Sequence, residues 1–481
     1  MNRTSIPATH PALSTRAAVT LAAVAVAAFH LAYTVSGLNF LIAVFLACLF
    51  TLSRLGTGRR AFYFGLAIGL AVYGPHLSFF WKIFGGGAIA LWAVLTLWIA
   101  LFVALTRVLR MRLGPIWAAV LAPVLWTGLE YFRSELYYLR FSWLNVGYAF
   151  ADSPQLFVLA GLGVYGIGFE LMGAASLVSV LPRRTAVILG VVLLAAFGIG
   201  TNLPARKSAA VALPASTVRV AGMQMEWPGV LEVEQELTRL HVAHPEAELV
   251  VLSEYTFDGP LPSRINAWCR RHALHLIAGG KDFVDGERYF NTAYVVGPGG
   301  EVLFQQAKAV PIQFFKDGLP AREQEVWNSP WGKIGLAICY DLSYTRVIDR
   351  LAERGAQALI VPTMDAAEWG EYQHRLHGRV APMRAAEYGL PVFRVASSGI
   401  SQLVNAHGDV EASAPFPGEN ATLAGPLRLG KAGLVPIDRW VAPQSAALTG
   451  FLALSLAVPA LWRPRRWPTW KKNLPADIVA L

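Results

Sequence analysis

Three residues in the second half of the chain have the types that thiol chemistry needs. Cys339 closes the run KIGLAIC, Glu254 closes LVVLSE, and Lys308 follows EVLFQQA. A thiol is a strong nucleophile but is mostly protonated near neutral pH, so it works only beside a base and a positive charge. Glu254 is of the type that takes the proton. Lys308 is of the type that favours the thiolate and then stabilises the oxyanion formed on attack at a carbonyl. Backbone N–H groups after Cys339 are further candidate donors. The residue types alone leave a second reading open, in which Glu254 and Lys308 are surface charges and Cys339 is a small buried hydrophobe. Cys48 lies in an apolar run and Cys269 in a helical pattern, and three cysteines are too few for a disulfide framework. His374 and His377 form an H-x-x-H, but two histidines without a third ligand are weak grounds for a metal, so no metal and no cofactor is expected.

These residues need elements to position them. From about residue 216, short β-rich runs (TVRVAGMQM, ELVVLSEY, LHLIAGG, FNTAYVVGP, KIGLAICYD, ALIVPTM, PVFRVASSG) alternate with helical patterns such as EVEQELTRLHVAH and TRVIDRLAERGA. That alternation predicts an α/β domain. In such folds ligands bind beyond the carboxyl ends of the strands, where Glu254 and Cys339 fall.

The remainder of the chain is a membrane module. Hydrophobic residues make up 55% of the sequence and charged residues 15%, against about a quarter charged in soluble domains. A bilayer core requires about 20 apolar residues as helix. Seven such segments precede the α/β region, at 17–35, 38–54, 61–80, 86–108, 115–132, 155–181 and 185–203, and an eighth runs over 444–462. The domain expectation is therefore 1–203 with seven helices, 204–443 catalytic, and 444–481 as an eighth helix with a basic tail. The net charge of +10 does not point to nucleic acid, because the Arg and Lys sit in short clusters between apolar runs. With the N-terminus cytoplasmic, fifteen Lys and Arg, among them Arg3, Arg59, Arg110, Arg183 and Arg465, fall inside and three (Lys82, Arg133, Arg140) fall outside. The positive-inside rule then places both termini in the cytoplasm and residues 204–443 outside it. The loop EYFRSELYYLRFSWLNVGYAFADS at 131–154 reads as an interfacial loop. GLGVYG at 161–166 is formally a G-x-G-x-x-G, but it lies in an apolar run and reads as close helix packing rather than a nucleotide loop.

At these residues the sequence resembles the apolipoprotein N-acyltransferase family, the membrane-bound branch of the nitrilase (carbon-nitrogen hydrolase) superfamily. WGKIGLAICYD carries the family's cysteine motif, with Tyr340-Asp341 in place of Tyr-Glu, and SEYTF puts Glu254 at the general-base position. Lys308 matches the family lysine, YFNTAYVVGPGGEV and QHRLHGRVAPMRAAEYGLPVFRVASSGIS look like core segments, and FSWLNVGYAFADSP is similar to the pattern before the sixth span. The resemblance implies a polytopic helical bundle of eight spans with an inserted αββα domain on the periplasmic side of a bacterial inner membrane. It implies acyl transfer from a phospholipid, through a cysteine thioester, to the α-amine of a diacylglyceryl-prolipoprotein, by a monomer. It also implies supporting roles for Tyr340 and Trp227. Glu387, in MRAAEY, matches a family position and has two readings: it orients Lys308 or Glu254, or it forms a salt bridge in its own helix. There are departures. Where the family reads Val-Pro-Phe-Gly-Glu after its lysine, this chain has VPIQFFKDG, and neither Gln313 nor Phe314 is anionic. Gln313 is expected to support the site by hydrogen bonding instead. MDAAEWGEY stands at 364–372 for Asn-Asp-Ala-Trp-Phe-Gly.

Two other functions fit parts of this pattern. A membrane-tethered amidase would use the same three residues with water as acceptor. A transporter or lipid-binding protein would carry ionisable groups within its spans, which hold few beyond Glu170, His30 and His76.

Overall fold

The computed structural model describes residues 12–153, 158–202, 216–418 and 420–461. The basic segments around Arg3 and at 463–472, and residues 154–157 and 203–215, lie outside the described residues. Among the described residues, eight α-helices precede the α/β region: α1 (Thr15–Thr34), α2 (Ile42–Leu52), α3 (Gly58–His76), α4 (Phe79–Phe84), α5 (Gly87–Leu113), α6 (Pro115–Tyr131), α7 (Val158–Val180) and α8 (Arg183–Asn202). Local chemistry sets their starts. The Ser14 hydroxyl accepts from Ala17 N and the Thr57 hydroxyl from Arg60 N, while α6 opens on Pro115, a residue with no N–H to leave unsatisfied. Among the described residues, four helices are long and apolar enough to cross a membrane: Thr15–Thr34, Gly87–Leu113, Pro115–Leu136 and Gly161–Val180. The span expected at 38–54 is a shorter apolar helix, Asn39–Leu52.

The α/β region contains β1 (Ser216–Met223), α9 (Val230–Ala243), β2 (Leu249–Val251), α10 (Ser263–His272), β3 (His275–Phe283), β4 (Tyr289–Val296), β5 (Val302–Ala307), β6 (Val326–Ser329), β7 (Gly332–Leu336), α11 (Thr345–Glu353), β8 (Ala358–Thr363), α12 (Glu371–Gly378), α13 (Val380–Tyr388), β9 (Val392–Ala396), β10 (Ser401–Val404), β11 (Val410–Ala414) and β12 (Thr422–Leu429). Helix α14 (Asp438–Leu461) follows. The strands form two six-stranded sheets, ordered β12-β1-β2-β3-β4-β5 and β11-β10-β9-β8-β7-β6. Each sheet has a parallel centre (β1-β2-β3 and β7-β8-β9) flanked by antiparallel strands. Side chains alternate along the strands with period two. Val218, Val220, Leu249, Val251 and Ile277 face the core between the sheets, and Val250, Leu252, Leu276 and Ala278 meet Val233, Leu237, Ile265 and Trp268 of α9 and α10. The result is a helix–sheet–sheet–helix sandwich.

The 131–154 loop, expected at a membrane interface, is largely enclosed by the rest of the protein. Arg133, Ser134, Glu135 and the stretch from Phe141 to Ala151 are buried between the helical bundle and the sandwich. The Trp143 indole donates to Ser343 Oγ at 2.9 Å, and the Tyr340 hydroxyl to the Arg140 carbonyl at 3.1 Å.

The glycine run in α7 also does more than pack. Gly163 breaks the helix with φ of 75°. The freed N–H groups of Tyr165 and Gly166 donate to Asp438 at 2.9 and 3.4 Å, and that of Val164 to Glu387 at 2.9 Å. A Cβ on Gly163 would stand 2.2 Å from the Asp438 carboxylate, so glycine is required there. The run therefore receives carboxylates from its own chain.

Candidate active site

The carboxyl ends of the central parallel strands meet at one buried cluster. Beyond β2, Glu254 precedes Tyr255, whose φ of 53° turns the chain sharply. Gly279 of β3 makes room for that turn, since a Cβ there would lie 2.7 Å from the Glu254 Cα. Beyond β7, Cys339 itself has φ of 51°, a left-handed conformation that is strained for a residue with a side chain. Such strain persists only where the surroundings hold it, and here they do. The Asp341 carboxylate accepts from Ile338 N at 3.1 Å and from Val310 N at 2.7 Å, clamping the cysteine turn to the segment that follows Lys308.

Lys308 is fully buried. Its Nζ lies 2.8 Å from Glu254 Oε1 and 2.7 Å from Asp317 Oδ2. Asn291 of β4 holds both carboxylates in place, its Nδ2 donating to Glu254 Oε1 at 2.6 Å and to Asp317 Oδ1 at 2.9 Å. Asp317 also accepts from Tyr255 OH at 2.8 Å and from Ile312 N at 2.7 Å. The Met364 backbone joins this group to the thiol. Its N–H donates to Glu254 Oε2 at 2.7 Å, and its carbonyl accepts from Cys339 Sγ at 3.6 Å.

The electrostatics follow from burial. Desolvation pushes the Cys339 thiol well up, the Glu254 charge adds to this, and Lys308 opposes it. The resting side chain is a neutral thiol. Burial also raises Glu254, with Asp317 adding to the rise and Lys308 countering it. Burial works against the Lys308 charge, but Asp317 and Glu254 outweigh it and hold the ammonium well above its usual range. Burial carries Asp341 up to about 6 against the pull of Lys308 and the backbone donors. An ammonium has three N–H donors. Two are taken by carboxylates, which leaves one for a developing oxyanion.

Above the cluster lies an open cleft with an apolar lining, bounded by both parts of the molecule. Cys339 and Tyr340 form its floor. Phe79, Phe80 and Phe84 of α4 and Leu91 and Leu95 of α5 supply one wall, Arg140, Phe141 and Trp143 another, and the loop 312–315 a third. Phe84 meets Phe314 and Phe315 edge-on at centroid distances of 6.1 and 5.8 Å, so the N-terminal helical module and the sandwich close over the thiol together.

The structure redistributes the supporting residues. Tyr340 lines the cavity. Gln313 lines it too, but its Nε2 has no partner and Lys308 takes its second carboxylate from Asp317. The anion missing from the expected position is therefore supplied four residues beyond Gln313. Glu387 lies away from Lys308 and Glu254. It pairs with Arg384 one turn back in α13 and, at 3.0 Å, with Arg439, so the helix salt bridge is the reading that holds. Trp227 is 60% exposed, stacks on Tyr255 at 6.5 Å and does not line the cavity. His377 Nδ1 lies 2.8 Å from Asp365, which also binds Arg394 at 2.5 Å, and His374 stacks on Phe416. Cys48 and Cys269 are buried in α2 and α10. No sequence motif assigns Asp317, Asn291, Arg140 or Trp143 to the thiol site. A buried Asn within an apolar strand was the one local signal among them.

Residues 21–177 match the family described as Apolipoprotein N-acyltransferase N-terminal domain, and residues 234–433 match Carbon-nitrogen hydrolase. An apolipoprotein N-acyltransferase of Geobacter metallireducens is 25% identical over 433 residues, covering 78% of this chain and 82% of that protein. One of Azotobacter vinelandii is 27% identical over 465 residues, covering 85% of this chain and 88% of that protein. Among solved structures, a carbon-nitrogen hydrolase from Helicobacter pylori G27 is 20% identical, with a TM-score of 0.40, and covers 52% of this chain and 99% of that one. The two-sheet sandwich with its buried Glu, Lys and Cys is thus a carbon-nitrogen hydrolase domain. Joined to the helical module that precedes it, it makes the chain a member of the apolipoprotein N-acyltransferase family.

Proposed function

We propose that this enzyme moves an acyl chain from a membrane phospholipid to Cys339 and then to the α-amine of a diacylglyceryl-cysteine at a lipoprotein N-terminus. The observation that carries this reading is the cavity: the thiol opens into an apolar space walled by α4 and α5, which suits an acyl chain and not a small soluble amide. In the first half-reaction Cys339 Sγ attacks the ester carbonyl while Glu254 takes the thiol proton. Lys308 turns its third N–H to the oxyanion. Collapse breaks the ester C–O bond, and Glu254 returns the proton to the departing alcohol oxygen of the lysolipid. In the second, the amine nitrogen attacks the thioester carbonyl, Glu254 takes a proton from it, the C–S bond breaks, and Glu254 passes that proton to Cys339 Sγ to restore the thiol. Splitting the transfer in this way replaces one difficult step by two easier ones.

In this reading the chain is a multi-pass inner-membrane monomer with eight spans. The segments at 38–54, 61–80, 185–203 and 444–462 join the four helices that are long and apolar enough to cross a membrane, and the domain at 204–443 is periplasmic. Incubating the full chain with phospholipid alone should add one acyl mass to Cys339, labile to hydroxylamine. Cys339→Ser and Glu254→Ala should show no adduct, and Lys308→Ala should form it about 10²–10³-fold more slowly. An adduct elsewhere, or full activity in Cys339→Ala, would overturn the mechanism. An adduct released by water as fast as by an amine would make the protein a hydrolase.

A further inference from the structure

The cavity over Cys339 is apolar but for a few groups, and one of these carries a permanent charge. Arg140 lies in the buried loop between α6 and α7, and it is the one Arg or Lys among the residues that line the cavity. Its backbone is fixed beside the thiol, because its carbonyl accepts from the hydroxyl of Tyr340, the residue after Cys339, at 3.1 Å. Its guanidinium lies over the Tyr344 ring at 5.4 Å, a contact that orients the group without neutralising it. Among the described residues no carboxylate pairs with it, and its Nε is buried without a hydrogen-bond partner. Arg133, also buried without a carboxylate, donates to Asn145 Oδ1 and does not line the cavity. Arg384, Arg394 and Arg439 each hold a carboxylate. A partly buried guanidinium with open donors is costly unless an anion completes it, and its planar fork fits the two oxygens of a phosphate.

We propose that Arg140 binds the phosphodiester of the acyl-donor lipid. The inference rests on the acyl-transfer reading and deepens it. Both substrates of that reaction bring acyl chains that suit the apolar walls, so the walls cannot tell them apart. Only the donor carries a phosphate, and the acceptor brings an amine that a guanidinium repels. Arg140 is then a specificity residue for the first half-reaction alone. It places the ester of a phospholipid over Cys339 and releases with the lysolipid, leaving the thioester open to the amine.

The test uses the full chain in detergent micelles and follows the acyl mass on Cys339. The wild type is given phosphatidylethanolamine or, separately, a diacylglycerol with the same chains and no phosphate. Arg140→Gln should slow acylation from the phospholipid on the order of ten- to a hundredfold, the worth of a charge-assisted hydrogen bond. It should leave acylation from diacylglycerol, and the release of a preformed thioester to a diacylglyceryl-cysteine peptide, within about twofold. Arg140→Lys should recover part of the loss. Equal slowing with both donors would make Arg140 a structural residue and overturn the proposal, as would an unchanged phospholipid rate. A wild type that forms no thioester from either lipid would overturn the acyl-transfer reading itself, and this proposal with it.

Discussion

At the scale of single residues, Asp317 decides how the proposed base and cation share charge. It stands 2.7 Å from Lys308 and is joined to Glu254 through Asn291 Nδ2. Burial first, and the Asp317 charge with it, push Glu254 up. A base must be ionised to act, so thioester formation should fall away as pH drops through that raised value, above the ordinary glutamate figure of about 4.3. Asp317→Asn removes the like charge, which should move this acid limb to lower pH. It also deprives the Lys308 ammonium of one of two partners, so the plateau rate should drop. Single-turnover acylation measured across pH tests both, and an acid limb that stays in place would separate Asp317 from Glu254. Gln313→Ala should cost less than Asp317→Asn, because the Gln313 amide makes no bond to the cluster. Much of this centre could be read before folding. Glu254 and Cys339 each close a β-rich run, and strand ends are where such folds gather their chemistry. Asp317 could not, because KDG after an aromatic pair looks like an exposed turn. Only the return of the 312–317 loop, closed by Ile312 N on Asp317, brings that carboxylate back to the lysine.

At the scale of elements, the cluster depends on turns as much as on strands. The turn after Glu254 lies against β3 because Gly279 has no side chain. Gly279→Ala should leave a folded protein, since β3 pairs along its length with β4. It should still slow acylation of Cys339 by well over tenfold, in keeping with the cost of misplacing a reacting group by about 1 Å. Circular dichroism unchanged alongside normal acylation would show that the turn adapts. The β-rich runs and the helical patterns between them were plain in the sequence because alternation of apolar residues is a local signal. The loop at 131–154 was not, because its aromatic and polar composition suits a membrane surface as well as an interior. What buries it is distant in sequence. Ser343 and Tyr340, some 200 positions away, receive Trp143 and reach Arg140. The glycines of α7 were likewise ambiguous, because nothing nearby announces that Asp438 will occupy the break.

At the scale of the whole molecule, the proposed orientation is tested most directly. A periplasm-dependent reporter fused after residue 210 should be active and one fused after residue 475 silent, as the Lys and Arg bias requires. Activity from the second fusion alone would reverse the topology. The two parts of the chain are held as one body by buried polar contacts. Arg439 pairs with Asp349 at 2.8 Å and with Glu387 at 3.0 Å, and Asp438 caps the broken α7. The shared cavity has a further consequence for the fate of the thioester. A thioester exposed to bulk solvent is lost to hydrolysis in competition with every other acceptor. With phenylalanines of α4 and leucines of α5 as its roof, the carbonyl on Cys339 would be in an environment closer to oil than to water. The acyl-enzyme could then persist between encounters, waiting for a slow-diffusing polypeptide anchored in the same bilayer. A change of solvent around an unchanged set of reacting atoms would thus be enough to turn a hydrolytic cycle into a synthetic one.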